Sequence, residues 1–316
     1  MGIILPYIYL KIFALFADLC YTFLIKRFGA SMEQSILKFF ESLRSPFGNI
    51  LAGAFSLFGE TLVLVALISL VYWIIDKDFG ERLVLVSFSF MSANAFLKGV
   101  VARPRPYAAG IVSRVEIDSP LLSTVDLEAN MSFPSGHSQM SAGLFFTSAF
   151  RLKKSWAWLL APVLTLLVMC SRMYLGVHYP TDVLAGAALG IAFSCLWEFI
   201  YRKFPRLRDP AAALFAVLSL VLLFISPNKS LAELSACMCA AAIALPLENK
   251  FIRFRVEKGW KKKLLRALVG FACVGAVFGI FALIPSEALV IKWLKYFLLV
   301  AAAALGAPAL FVKLKI

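Results

Sequence analysis

Charged side chains are scarce in this sequence. Asp, Glu, Lys and Arg make up 16% of its 316 residues, against about a quarter in an ordinary soluble domain. That shortage excludes a globule surrounded by water on all sides. Histidine is scarcer still, with two in the whole chain, His137 and His178. The six cysteines, Cys20, Cys170, Cys195, Cys237, Cys239 and Cys273, form no CxxC and have no zinc-site spacing with histidine. A dithiol redox motif and a Cys/His zinc site are thereby excluded, which leaves small apolar side chains inside apolar runs. No glycine-rich loop of Walker or Rossmann spacing occurs, so nucleotide binding of those two kinds is excluded.

What the chain has is apolar surface, 61% of its residues. It is gathered into runs near or above the roughly 20 residues that carry a helix across a bilayer. The runs are unbroken rather than alternating, which excludes a β-barrel. Backbone groups in hydrocarbon must then be satisfied within helices. Spans are expected at 4–25, 53–75, 82–102, 135–151, 156–176, 182–201, 210–226, 231–247, 267–285 and 290–312. The first carries Lys11 and Asp18 and lacks the basic n-region and small-residue cleavage site of a signal peptide. It reads as a span, a re-entrant segment, or residues ahead of a start at Met32. Residues 32–44 place Ile36, Phe39, Phe40 and Leu43 on one face, as an interfacial amphipathic helix does. The expected fold class is all-α, a polytopic membrane helical bundle.

The net charge is +14. In a soluble protein that would suggest nucleic acid. Here the cations sit between apolar runs, as in cytoplasmic loops, and no nucleic-acid partner is expected. One set of loops holds Lys77 and Arg82, then Arg151, Lys153 and Lys154, then Arg202, Lys203, Arg206 and Arg208. The stretch 250–266 adds Arg253, Arg255, Lys258, Lys261, Lys262, Lys263 and Arg266, and the tail adds Lys313 and Lys315. The opposite loops, 103–134, 177–181, 227–230 and 286–289, are expected to face outward. The longest of them carries Glu116, Asp118, Asp126 and Glu128.

Both histidines stand beside those outward loops, each in a polar cluster. Lys98 and Arg105, seven apart, share a face if their helix continues, and Pro104 and Pro106 end it. Two cations snorkelling at a helix end is the plainer alternative. Pro134-Ser135-Gly136-His137 opens a helix, whose free N–H groups and dipole suit an anion, with Gly136 allowing close approach. An ordinary serine cap is the plainer alternative there. In Ser171-Arg172-x5-His178-x3-Asp182, the last two are four apart and within hydrogen-bond reach if Asp182 opens the next helix. A carboxylate on one ring nitrogen makes the other the better nucleophile, and Arg172 offers a planar fork for phosphate oxygens. Three cations around one point call for a highly charged anion, and phosphate is the obvious one.

These three clusters resemble the signature motifs of the type 2 phosphatidic acid phosphatase superfamily, matching at all eleven fixed positions over roughly residues 50–200. The resemblance implies a six-helix phosphatase core within 1–203, followed at 204–316 by about four extra spans on which the motifs are silent. It implies that His178 attacks phosphorus to form a phosphohistidine and that Asp182 orients it. His137 then protonates the leaving group, while Lys98, Arg105, Ser135, Gly136 and Arg172 hold the phosphate oxygens. It implies neither a metal nor a cofactor. The expected substrate is a lipid phosphate or diphosphate, such as an isoprenyl pyrophosphate, phosphatidylglycerol phosphate or phosphatidic acid. The expected location is a plasma membrane of bacterial type, among membrane lipids. Phosphotransfer to another hydroxyl, hydrolysis of a sugar phosphate, and lipid-phosphate binding or transport without turnover are the alternatives. Residues 107–133 are expected to form a lid. Glu60, inside an apolar run, reads equally as a buried oddity or a functional group. The oligomeric state is not legible.

Overall fold

The structure, a computed structural model, describes residues 29–117, 131–284, 286 and 288–316. The expected span at 4–25, the acidic residues Asp118, Asp126 and Glu128, and the middle of the expected lid lie outside the described residues. The described chain is helical. It contains no strand, and its one extended pairing is an isolated antiparallel bridge between Pro104 and Met131.

Helix α1 (Ala30–Ser42) leads into α2 (Pro46–Ser56), where the Ser45 hydroxyl accepts from Gly48 N and Pro46 fills the first turn. The run 53–75, expected as one span, is broken. A 3₁₀ turn (Leu57–Gly59) closes α2, Glu60 is extended at φ −76° and ψ 125°, and α3 (Thr61–Leu70) restarts the helix and ends in a π turn (Val71–Ile75). Apolar content alone does not reveal such a break; the Gly59-Glu60 pair, a poor helix former and a carboxylate in an apolar run, marks it.

The remaining helices are α4 (Lys77–Val101), α5 (Gly136–Leu152), α6 (Ser155–Tyr174), α7 (Pro180–Lys203), α8 (Arg208–Ile225), α9 (Lys229–Leu247), α10 (Trp260–Ala282), α11 (Leu289–Ala301) and α12 (Ala307–Lys313). Among the described residues, seven helical stretches are long and apolar enough to cross a membrane, or eight with the broken stretch from Pro46 to Ile75. Helix α5 is not one of the seven. It has 17 residues and buries Ser138, Gln139, Ser141 and Thr147, so it is a core helix with a polar side. Leu159, Leu166, Leu214, Phe224, Leu268, Phe278 and Ile280 are all exposed. In water such a surface would aggregate; in hydrocarbon it is solvated. The chain is an integral membrane protein.

Contacts divide the chain into two compact units, one holding residues 1–64 and 93–195, the other 65–92 and 196–316. In the first, α6 packs against α1, α2 and α5. The core joins Leu37 to Val112, Ala142, Met169, Met173, Tyr179, Val183 and Ala187. Helix α1 turns a different face inward than its apolar pattern suggests. Glu33 and Leu37 are buried, while Phe39 and Leu43 stay exposed. The buried carboxylate is satisfied by an ion pair described below, which is why the polar residue goes inside.

In the second unit, α9 packs against α8 and α11 over an alanine-rich surface. A π turn (Ala302–Gly306) joins α11 to α12, and Trp73 Nε1 and Tyr72 Oη donate to its carbonyls at Ala303 (2.9 Å) and Ala304 (3.1 Å). A π turn loosens the regular ladder, and these two side-chain donors use the oxygens it presents.

Candidate active site

All the residues singled out in the three clusters fall in the first unit. Helix α6 ends at Tyr174 and the chain reverses through Gly176 at φ +74°, a conformation suited to glycine. A Cβ there would lie 2.4 Å from Ser113 O. The turn buries His178, which is 2% exposed, and leads into α7, whose first turn carries Asp182. His178 Nδ1 and Asp182 Oδ2 are 3.6 Å apart, longer than a hydrogen bond. The spacing of four brings them together as expected, but without the direct bond.

Asp182 is held by other groups. Tyr179 N donates to its Oδ2 (2.8 Å) and Arg103 Nη1 to its Oδ1 (2.9 Å). Arg103 also pairs with Glu33 Oε2 (2.6 Å), donates to Thr181 Oγ1 (2.8 Å) and lies 3.5 Å over the Tyr179 ring. Thr181 in turn donates to Glu33 through both its N–H and its hydroxyl. A buried relay thus runs from Glu33 on α1 through Arg103 to Asp182. Sequence reasoning missed it. Arg103 sits at an unassigned position between Lys98 and Arg105, and Glu33 is 70 residues away in sequence.

The N-terminus of α5 is fixed just as closely. Ser135 N donates to Asp182 O (3.0 Å), while Ser135 Oγ accepts from Ser138 N (3.4 Å) and Ser138 Oγ (3.1 Å). The Ser135 hydroxyl therefore caps the helix. Gly186 and Gly190 on α7 let its backbone lie against α5: a Cβ at either would come within 2.3 Å of Ser135 O or Gln139 O. Asn94 Nδ2 reaches Gln139 Oε1 (2.6 Å) and Pro134 O (3.3 Å), pinning the same turn from α4.

Three cations converge near the two histidines, each with a hydrogen bond to a neutral acceptor. Lys98 Nζ donates to Met131 O (3.0 Å), Arg105 Nη1 to Val177 O (3.2 Å), and Arg172 Nη1 to Ser56 Oγ (2.9 Å). Arg172 Nε is buried with no hydrogen-bond partner. Helix α4 ends at Val101, so Lys98 and Arg105 meet through the turn that follows it rather than along one helical face. A small cavity of about 30 Å³ opens beside Arg172, lined also by Ser56, Arg114, Leu175 and Val177. Arg114 is a further cation here that no motif marks. Its signal in the sequence is a lone arginine in a loop otherwise poor in unassigned cations. Burial, and then the positive charges of Arg105, Lys98 and Arg172, hold the His178 imidazole well below its usual range. It is a neutral base at pH 7. His137 Nε2 lies 3.1 Å from Glu60 Oε1. Among the described residues, no three His, Cys, Asp or Glu side chains gather as a metal site would. The constellation can hold an anion of high charge against an uncharged imidazole, with a second imidazole and a carboxylate beside it.

Residues 82–209 match the model of the PAP2 superfamily, and residues 232–316 match that of the PAP2 superfamily phosphatase transmembrane extension. The chain is similar to the lipid A 4'-phosphatase of Bacteroides thetaiotaomicron, at 26% identity over 56% of this chain and 80% of that one. It is similar to phosphatidylglycerophosphatase B of Bacillus subtilis, at 29% identity over 57% of this chain and 88% of that one. The crystal structure of a transmembrane PAP2 type phosphatidylglycerolphosphate phosphatase from Bacillus subtilis aligns with a TM-score of 0.49 at 26% identity, over 60% of this chain and 96% of that one.

Proposed function

Because the chain belongs to the PAP2 superfamily, we propose that it hydrolyses a lipid phosphate or diphosphate at the outer face of its membrane, through a phosphohistidine on His178. The observation that carries this reading is the pairing of a buried neutral imidazole with three cations bonded to carbonyls and a hydroxyl.

The substrate's phosphate oxygens lie among Lys98, Arg105, Arg172 and the first N–H groups of α5, with Gly136 open to close approach. Asp182 faces His178 Nδ1 and favours the proton on that nitrogen, leaving the Nε2 lone pair to attack phosphorus. The N–P bond forms as the P–O bond to the lipid breaks, and His137 gives the leaving oxygen its proton. Water then attacks the phosphohistidine, His137 takes its proton, and inorganic phosphate leaves. The developing charge is met by the three cations.

Sidedness is supported by the ends of the helices. Helices α5 and α7 begin at Gly136 and Pro180, beside the site, and end among Arg151, Lys153 and Lys154 or Arg202 and Lys203. Basic residues at that end favour the cytoplasm.

The test is phosphate release by detergent-purified protein from a panel: an isoprenyl diphosphate, phosphatidylglycerol phosphate, phosphatidic acid and a sugar phosphate. At least one lipid should be turned over, with activity lost in His178→Ala and an acid-labile phosphoryl group trapped on the wild type by rapid quench. Full activity in His178→Ala would sink the reading.

A further inference from the structure

We infer that Glu60 is a positioning residue of this active site, holding His137 by its Nε2 nitrogen in the charged form that a proton donor to the leaving group requires. The inference rests on the function proposed above and concerns how the P–O bond is broken.

The contact is built into the fold. His137 Nε2 and Glu60 Oε1 are 3.1 Å apart, with side-chain exposures of 18% and 6%. The helical run breaks at this point, and Glu60 is its extended residue. The break is seated on α5 from two sides. A Cβ on Gly59 would lie 2.6 Å from the Cβ, Cγ and Cδ2 of His137, so only glycine lets the turn lie against that imidazole. The Phe58 ring meets Phe145 edge-on at 5.6 Å. An unbroken span would leave the carboxylate on a helix flank; the break delivers it to the ring.

The charges around His137 make the carboxylate matter. Arg172 from α6 and Arg105 from the turn after α4 both act on it, and His178 lies within electrostatic reach. Among the described residues, Glu60 is the carboxylate in contact with the His137 ring. Burial first, then the guanidinium groups of Arg172 and Arg105, lower the His137 pKa to about 4 against the opposing pull of Glu60; a phosphate drawn to those guanidinium groups offsets their charge, and the carboxylate then keeps the ring protonated. With Nε2–H directed to Glu60, the proton transferred is the one on Nδ1. The P–O bond breaks as that proton passes to the leaving oxygen, which leaves a neutral imidazole with Nε2–H still on Glu60. The attacking water later returns a proton to Nδ1. The site then contains two imidazole–carboxylate pairs with opposite tasks: His178 with Asp182 as nucleophile, His137 with Glu60 as acid.

The experiment compares kcat/KM on two substrates, an alkyl phosphate lipid that needs its leaving oxygen protonated and p-nitrophenyl phosphate, which does not. Glu60→Gln is expected to lose about 100-fold or more on the lipid and less than about fivefold on the aryl ester. Its basic limb on the lipid should move to lower pH by about one unit or more. Glu60→Asp, which keeps the charge, should return that limb toward the wild-type position. Equal losses on both substrates, an unmoved basic limb, or Asp behaving as Gln would each overturn the inference. Wild type inactive on both substrates would instead sink the proposed function, so the two failures are distinguishable.

Discussion

The two units bury most of their charge differently. In the second, three ion pairs join cation to carboxylate, Arg208 with Glu81 (2.9 Å), Arg82 with Glu198 (2.9 Å), and Lys77 with Glu248, while the buried Arg266 donates to the backbone oxygens of Trp73, Arg255 and Ile316. In the first, Lys98, Arg105 and Arg172 donate to carbonyls and a hydroxyl. Desolvating a charge is costly, and an ion pair is the ordinary way to offset that cost. Cations gathered beside a neutral imidazole are in place for an anion that comes and goes. The ion pairs belong to the architecture, and the three cations beside His178 to the chemistry. Arg103, in the first unit but paired with two carboxylates, falls on the architectural side.

The strongest way to break this comparison is to remove one arginine from each unit. Arg172→Ala should lower kcat/KM by about 10²–10³-fold, the range for a lost donor to developing charge, with thermal stability in detergent little changed. Arg208→Ala should do the reverse. It leaves Glu81 buried without its cation and should destabilise the protein by roughly 3 kcal/mol, with the kcat/KM of the folded fraction within about twofold of wild type. If both variants lose activity and stability together, the distinction between the units fails.

Arg103 tests the boundary. As a positioning residue it acts on His178 only through Asp182, so Arg103→Leu should lower kcat by about tenfold to 100-fold, with a smaller change in KM, and should also destabilise the fold. Glu33→Gln, one step further out, should lose less. In a double-mutant cycle the two losses should fall well short of adding, because both variants remove the same relay. Additive losses would mean that Glu33 and Arg103 act separately.

How much of this could be read from the sequence depends on distance along the chain. The three clusters are local patterns, so Lys98, Arg105, Ser135, Gly136, His137, Arg172, His178 and Asp182 stand out by spacing and by their resemblance to the family's motifs, and the structure gathers their histidines and cations together. The apolar runs gave the all-α membrane class for the same reason. Glu33 and Glu60 were not assigned because each finds its partner 70 or more residues away, where no helical period reaches. The span expected at 53–75 is bent by 51° at a break near Gly59-Glu60, which is only a small interruption in hydropathy. Spacing also misjudged the bond between His178 and Asp182. A separation of four residues is compatible with a hydrogen bond, but Arg103 and Tyr179 N determine where the carboxylate lies.

A finer test concerns pH. Burial and then the neighbouring cations depress the His178 pKa below its ordinary 6.5. The acid limb of kcat/KM should therefore fall below pH 6.5, where an unperturbed histidine would already be half protonated. Lys98→Met removes one of those cations, so the limb should move up toward 6.5, by up to about one unit. Stability follows the same sign. The folded state resists protonation more than the unfolded chain does, so the contribution of His178 is complete above pH 6.5 and is lost as pH falls below it. An acid limb at or above 6.5 in the wild type would contradict the neutral nucleophile.

The smallest expected effect comes from glycine. Gly186 in the first unit lies against Ser135 O, and a methyl group there must displace the turn that carries His137. Gly275 and Gly279 on α10 in the second unit have nothing within 4 Å of where a Cβ would be. Their helix bears exposed Leu268, Phe278 and Ile280, so an added methyl group enters lipid rather than a neighbour. Gly279→Ala should therefore stabilise the protein slightly, by up to about 1 kcal/mol from helix propensity, seen as a small rise in thermal midpoint with kcat/KM unchanged. A loss of stability at Gly279 would show that this face of α10 is covered by another surface in the membrane, and the second unit would then have a partner as well as a scaffold.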